Sequence, residues 1–144
     1  METKLYIRDG SRFKYVPNML GMYWNGTILT KERMQDSIAV VIEQHYDHVV
    51  MAFLEPSFLR MNWYAAKDWC SIKVAGGRLP SITELANLAK YISGYNFWGE
   101  EMKKWDNCAW VFGHRDGSID YVRKDTNADI RTVIVTDVPI LNLI

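Results

Sequence analysis

The sequence is short of cysteine, with only Cys70 and Cys108 among 144 residues. One disulfide at most can form. No Cys-x-x-Cys pair is present to hold zinc or to run thiol–disulfide exchange, and two buried thiols account for the count equally well. Charge of one sign is missing as well, since 17 Lys and Arg balance 17 Asp and Glu. That removes the global electrostatic case for a nucleic-acid or acidic-membrane partner. No apolar run approaches the ~20 residues of a spanning helix, so no membrane span is expected. Residues Met1 to Gly10 carry charges throughout and lack the apolar stretch of a secretion signal. The chain as written is therefore expected to be cytoplasmic. No Gly-rich phosphate loop, Ser-His-Asp order or paired-carboxylate motif stands out, so no cofactor is expected. His45-x-x-His48 has no obvious third ligand, which makes solvated turn histidines the reading there. Internal repeats and low-complexity linkers are also lacking. What remains is a chain 49% apolar, enough for one domain over residues 1–144 with a core that needs no staples.

Two helices are legible. Trp63, Ala66, Cys70 and Val74 recur at helical spacing opposite Lys67, Asp68, Ser71 and Lys73, which predicts an amphipathic helix. Asn62 is its expected N-cap, and Gly76-Gly77 its stop. Pro80 biases Leu79 towards an extended backbone. Ser81-Ile82-Thr83-Glu84 matches a capping box. Ile82, Leu85, Leu88, Ala89 and Ile92 then form the expected buried face of a second helix, with Gly94 as its stop.

The remainder reads as strands. Lys4 to Arg8 is a short strand closed by Asp9-Gly10. Tyr23 to Leu29 is a hairpin around Asn25-Gly26, a pair suited to a tight turn; the sequon Asn25-Gly26-Thr27 is read as coincidence. Ile38 to Ile42 and Val49 to Leu54 are expected to pair antiparallel. Ala109 to Phe112 and Ile119 to Val122 flank the turn His114-Arg115-Asp116-Gly117. Ile130 to Val135 is expected as a last strand, followed by an apolar tail, Val138 to Ile144, that packs back on the domain or meets another chain. Strands, two helices and strands again predict an α+β fold with the helices packed on antiparallel sheets. The expected division is an N-terminal extension over 1–37, a core over 38–135 and a tail over 136–144.

Trp63-x-x-Ala66-x-x-x-Cys70, then Gly76-Gly77-Arg78-Leu79-Pro80-Ser81 and Glu84-Leu85, resembles the helix–Gly-Gly–Leu–helix core of C-type-lectin-like domains. The Gly-Arg-Leu-Pro-Ser-x-x-Glu-Leu version is similar to a bacterial branch, the Lcl-type or Fibrobacter-major-paralogous domain. Trp98-Gly99-Glu100, Ala109-Trp110-Val111-Phe112, Gly117 and Ile130-Arg131-Thr132-Val133 look like later pieces of that branch. The likeness covers roughly residues 38–135. It implies a lectin-like binding module of a bacterium or its phage, on a cell surface or virion if processed or assembled. The chain departs from the family in two ways. Ile130 to Val135 offers no cysteine to bridge Cys70. The nearest matches to the calcium motifs, Glu55-Pro56-Ser57 and Trp105-Asp106-Asn107, stand in other places, so a calcium sugar site is not expected.

Tyr95, Phe97, Trp98, Trp105 and Trp110 crowd into one segment among polar residues. In lectin-like families this segment often carries the ligand surface. Aromatic faces with polar neighbours suit a sugar or a protein partner, which makes Tyr95, Trp98, Glu100, Trp105 and Asn107 the candidate ligand-binding residues. The competing reading places Trp98, Trp105 and Trp110 in the core. The leading expectation is a non-enzymatic binding module. An enzyme related to the formylglycine-generating branch would need a reactive Cys70 or Cys108. A structural subunit assembling as a homo-oligomer through the apolar tail is the third reading.

Overall fold

The computed structural model describes residues 5–144, so Lys4 of the first expected strand lies outside the described residues. The fold is α+β. A two-stranded ribbon, β1 (Leu5–Asp9) and β2 (Arg12–Val16), comes first. A five-stranded sheet follows, built from β3 (Tyr23–Trp24), β4 (Leu29–Thr30), β5 (Ala39–Gln44), β6 (His48–Phe53) and the late strand β11 (Val135–Pro139). Its order is β11-β6-β5-β3-β4, and every neighbour pair is antiparallel. The helices α1 (Trp63–Lys73) and α2 (Ile82–Leu88) are inserted after β6. The second sheet contains β7 (Asn96–Glu101), β8 (Cys108–Phe112), β9 (Ile119–Arg123) and β10 (Ile130–Arg131) in the order β10-β7-β8-β9, with β10 parallel to β7.

The helix ends form as their residues dictate. Asn62 accepts from the Ala65 amide at 3.0 Å and caps α1. Ser81 and Glu84 complete the reciprocal capping box of α2. Arg78 adds a tie that the motif alone did not reveal. Its guanidinium donates to both Glu84 oxygens, at 2.6 and 2.9 Å, and to Asp137 at 2.9 Å. The Gly-Arg-Leu-Pro-Ser segment thus locks α2 to β11. Gly76 takes φ +74°, a left-handed conformation. Gly77 is required for space, because a Cβ there would sit 2.5 Å from the Cys70 carbonyl oxygen.

The core has three clusters. Leu85, Leu88 and Ile92 meet Val40, Val50, Phe97 and Phe112, so α2 lies between the two sheets. Trp63, Ala66 and Cys70 of α1 cluster with Trp98, Ala109 and Val111 of the second sheet. Ile7 and Val16 of the ribbon cluster with Met19, Val41, Met51 and Ile140.

Several expectations need correction. The run from Ile130 to Val135 is not one strand. β10 ends at Arg131, residues 132–134 cross between the sheets, and β11 begins at Val135. Such a run is buried on all sides, so its composition carries no mark of the crossing. α2 stops at Leu88 rather than near Gly94, and Ile82 is exposed while Glu84 is buried against Arg78. The Asn25-Gly26 hairpin closes with a longer loop, in which the Asn25 side chain accepts from the Thr27 and Ile28 amides. The apolar tail takes the first of its two expected roles, since Ile140 is fully buried in the domain's own core.

Candidate ligand-binding surface

The five residues singled out in the sequence do not converge. Trp98 lies on β7 with no exposed surface, and its indole N–H donates to the Met61 carbonyl at 2.7 Å. Trp63 answers it from α1 by donating to the Gly99 carbonyl at 2.9 Å. These two tryptophans pin α1 to β7, and Trp98 presents no ring face to a ligand. Tyr95 precedes β7, next to Phe97 and 5.6 Å from the Arg131 guanidinium. Trp105 and Asn107 follow the far end of β7, and Glu100 sits exposed near that end. A six-residue strand spans roughly 20 Å, which separates Tyr95 from Trp105.

At the Trp105 end an aromatic platform forms. The Trp105 ring lies 5.1 Å from Tyr121 on β9, and Tyr121 meets Trp110 of β8 edge-on at 6.5 Å. Trp110 and Tyr121 are directly paired across the strands, which puts them on one face. Trp105 is 42% exposed and Tyr121 43%. Lys104 stands over the Trp105 ring at 5.2 Å, a cation–π contact. Asp106 and Asn107 are exposed beside it. Tyr121 was missed in the sequence. The hairpin register around His114 to Gly117 pairs it with Trp110, and that pairing was the signal available.

A second concave feature lies elsewhere. A groove of about 940 Å³ runs between the loop at Arg33–Ile38, the segment after β6 and the end of α1, with Met34, Phe58, Trp69 and Lys73 on its walls. A smaller pocket of about 380 Å³ shares Phe53 and Val74 with it. Glu55-Pro56 lines the larger groove. No local motif marks these walls, because the three segments meet only in the folded chain.

The remaining reactive side chains are quiet. Cys70 and Cys108 are both free and buried. Burial pushes the Cys70 thiol up to about 12, which disfavours its thiolate at neutral pH. His45 in the β5–β6 turn and His48 at the start of β6 stack at 4.6 Å, facing Glu43 and Asp47 respectively. The hydrogen bond from His48 holds the Asp47 carboxyl below the usual range. Among the described residues, no group of three or more His, Cys, Asp or Glu is placed to hold a metal ion. No helix of the described residues is long and apolar enough to cross a membrane. Lys124 is 5% exposed, lies 4.3 Å from the centre of the Trp63 ring and donates to Glu101 at 2.7 Å. That bond, followed by the ammonium charge, holds the Glu101 carboxyl below its ordinary value.

No known protein-family model matches the chain, and no curated protein matches it.

Proposed function

We propose that this chain is a non-enzymatic binding module of C-type-lectin-like architecture, and that its ligand surface is the platform of Trp105, Tyr121 and Trp110. The observation that carries this reading is the exposed Trp105–Tyr121 pair, 5.1 Å apart, with Tyr121 on β9 and Trp105 on the loop between β7 and β8. Tyr121 and Trp110 are held by strands and lose little freedom on binding, which favours affinity. The fold reading is supported by the order of α1, glycine turn, Arg78-Leu79-Pro80 link and capped α2. Trp105 and Trp110 lie in the segment that the resemblance assigns to ligand binding, and Tyr121 joins them from β9.

The partner is a glycan or a protein, and the platform favours the glycan. Flat rings accept the apolar face of a sugar, while Lys104, Asp106 and Asn107 supply polar groups at the rim. An enzyme of the formylglycine-generating kind has little support, since Cys70 is held protonated.

A glycan array with and without calcium tests the reading. The expected result is calcium-independent binding, weakened about tenfold or more by Trp105→Ala or Tyr121→Ala, as removal of a central aromatic anchor predicts. Glycan binding untouched by both variants sinks the platform. No glycan binding at all transfers the surface to a protein partner.

A further inference from the structure

The edge strand β9 and the N-terminal ribbon differ in how their edges are protected. On β9, Ser118 and Lys124 bond towards β8, so the backbone groups of Ile119, Tyr121 and Arg123 face outward. The outward Tyr121 amide donates to the Asp120 carboxylate at 2.8 Å. The Arg123 carbonyl accepts from Thr126. A carboxylate drawn over a strand edge is a guard against pairing with another chain.

The ribbon has no such guard. Asp9 and Arg12 close a two-residue turn with Gly10 at φ +64°, as a type II′ hairpin turn requires. The closing pair is hydrogen-bonded, so Leu5, Ile7 and Asp9 bond to β2 while the amides and carbonyls of Tyr6 and Arg8 point outward. Neither residue's backbone has another partner among the described residues. Their side chains share one exposed face with Phe13 and Tyr15, and those three rings are 51%, 69% and 48% exposed. Among the described residues, Ile7 and Val16 are the ribbon's members of the buried core. A two-stranded ribbon supported so lightly is marginal without a further strand.

We propose that β1 pairs antiparallel with β1 of a second copy of this chain, joining the two ribbons into one four-stranded sheet. The register is set by charge. With Ile7 opposite Ile7 of the second copy, Tyr6 faces Arg8 of that copy on the aromatic side. Each such pair exchanges both outward hydrogen bonds and sets a cation against a ring. The β2 edge is disfavoured by the same test, because the equivalent arrangement puts Lys14, itself paired with Asp9 at 3.2 Å, opposite Lys14 of the second copy. A formal net charge of zero leaves no global repulsion between copies.

The test is the solution mass of the full chain by light scattering, measured against protein concentration. The wild type is expected to approach twice the 16.8 kDa chain mass. Arg8→Pro removes an outward amide, which an edge strand tolerates, together with the guanidinium and its exposed 2.9 Å bond to the Gly10 carbonyl, and is expected to give monomers with unchanged circular dichroism. Phe13→Pro, on the outward side of β2, is expected to remain dimeric. Should Arg8→Pro fail to fold, Arg8→Glu reads the same contact and is expected to weaken the dimer about tenfold. A wild type that stays monomeric at its highest soluble concentration overturns the proposal. So does a dimer indifferent to a folded Arg8 variant, or one abolished equally by Phe13→Pro.

Discussion

Replacing Trp98 by alanine separates a core tryptophan from a ligand-binding one. Trp98 has no exposed surface and packs in the cluster of Trp63, Ala66, Cys70 and Val111. Truncating a buried tryptophan costs about 3–5 kcal/mol through lost transfer energy and the cavity left behind. The Met61 carbonyl also loses the indole donor at 2.7 Å. Against a typical unfolding free energy of about 5–15 kcal/mol, this is a large fraction of the total. At roughly 3 °C per kcal/mol for a chain near this size, Tm falls by about 10–15 °C. Trp105→Ala is the internal control. Its ring is 42% exposed, so its stability cost stays within about 1 kcal/mol while any ligand binding falls. Urea unfolding followed by far-ultraviolet circular dichroism measures both variants without relying on tryptophan emission. A Trp98→Ala protein within 1 kcal/mol of wild type, or a Trp105→Ala cost larger than the Trp98→Ala cost, refutes the assignment of roles.

Gly77→Ala is expected to cost more than about 2 kcal/mol in the same unfolding assay, because its Cβ would meet the Cys70 and Val74 carbonyl oxygens at 2.5 and 2.9 Å and backbone cannot step aside cheaply. Cys70, with its thiol pushed up to about 12, is expected to resist a thiol reagent at pH 8 until denaturant is added. Its raised value means the fold is favoured while the thiol is protonated, and that contribution is lost as pH rises above the ordinary thiol value. Glu101 has the opposite sign: its carboxyl is held low by Lys124, so the stabilisation is present above the ordinary carboxylate pKa and is lost as pH falls through the folded value. A carbon-detected NMR titration of Glu101 is expected to show a higher midpoint in Lys124→Met than in wild type.

The chain's local chemistry was legible wherever a few neighbouring residues settle the backbone. Asn62 and the Ser81–Glu84 box start the helices as their side-chain donors and acceptors predict. The two hairpins around Glu43–His48 and His114–Gly117 follow from β-rich apolar runs broken by polar turn residues. Strand β2 was missed: Arg12-Phe13-Lys14-Tyr15-Val16 alternates, but so short a pattern with one buried residue gives a weak signal. Sheet membership was not local. Thr132 to Ile134 cross from one sheet to the other, and nothing in an apolar run states which edge it will join.

The candidate site divides the same way. Composition placed aromatic rings in the segment from Tyr95 to Trp110, and in that respect the sequence by itself determined where to look. Only tertiary structure decided which rings stay outside. Trp98 points into the packing between α1 and β7, whereas Trp105 is held beside Tyr121, sixteen residues further along the chain. The groove bounded by Met34, Phe58 and Trp69 depends wholly on long-range assembly. Helix caps and turns are fixed by neighbours a few residues away. Burial is fixed by which distant surfaces meet, and one sequence position does not report that.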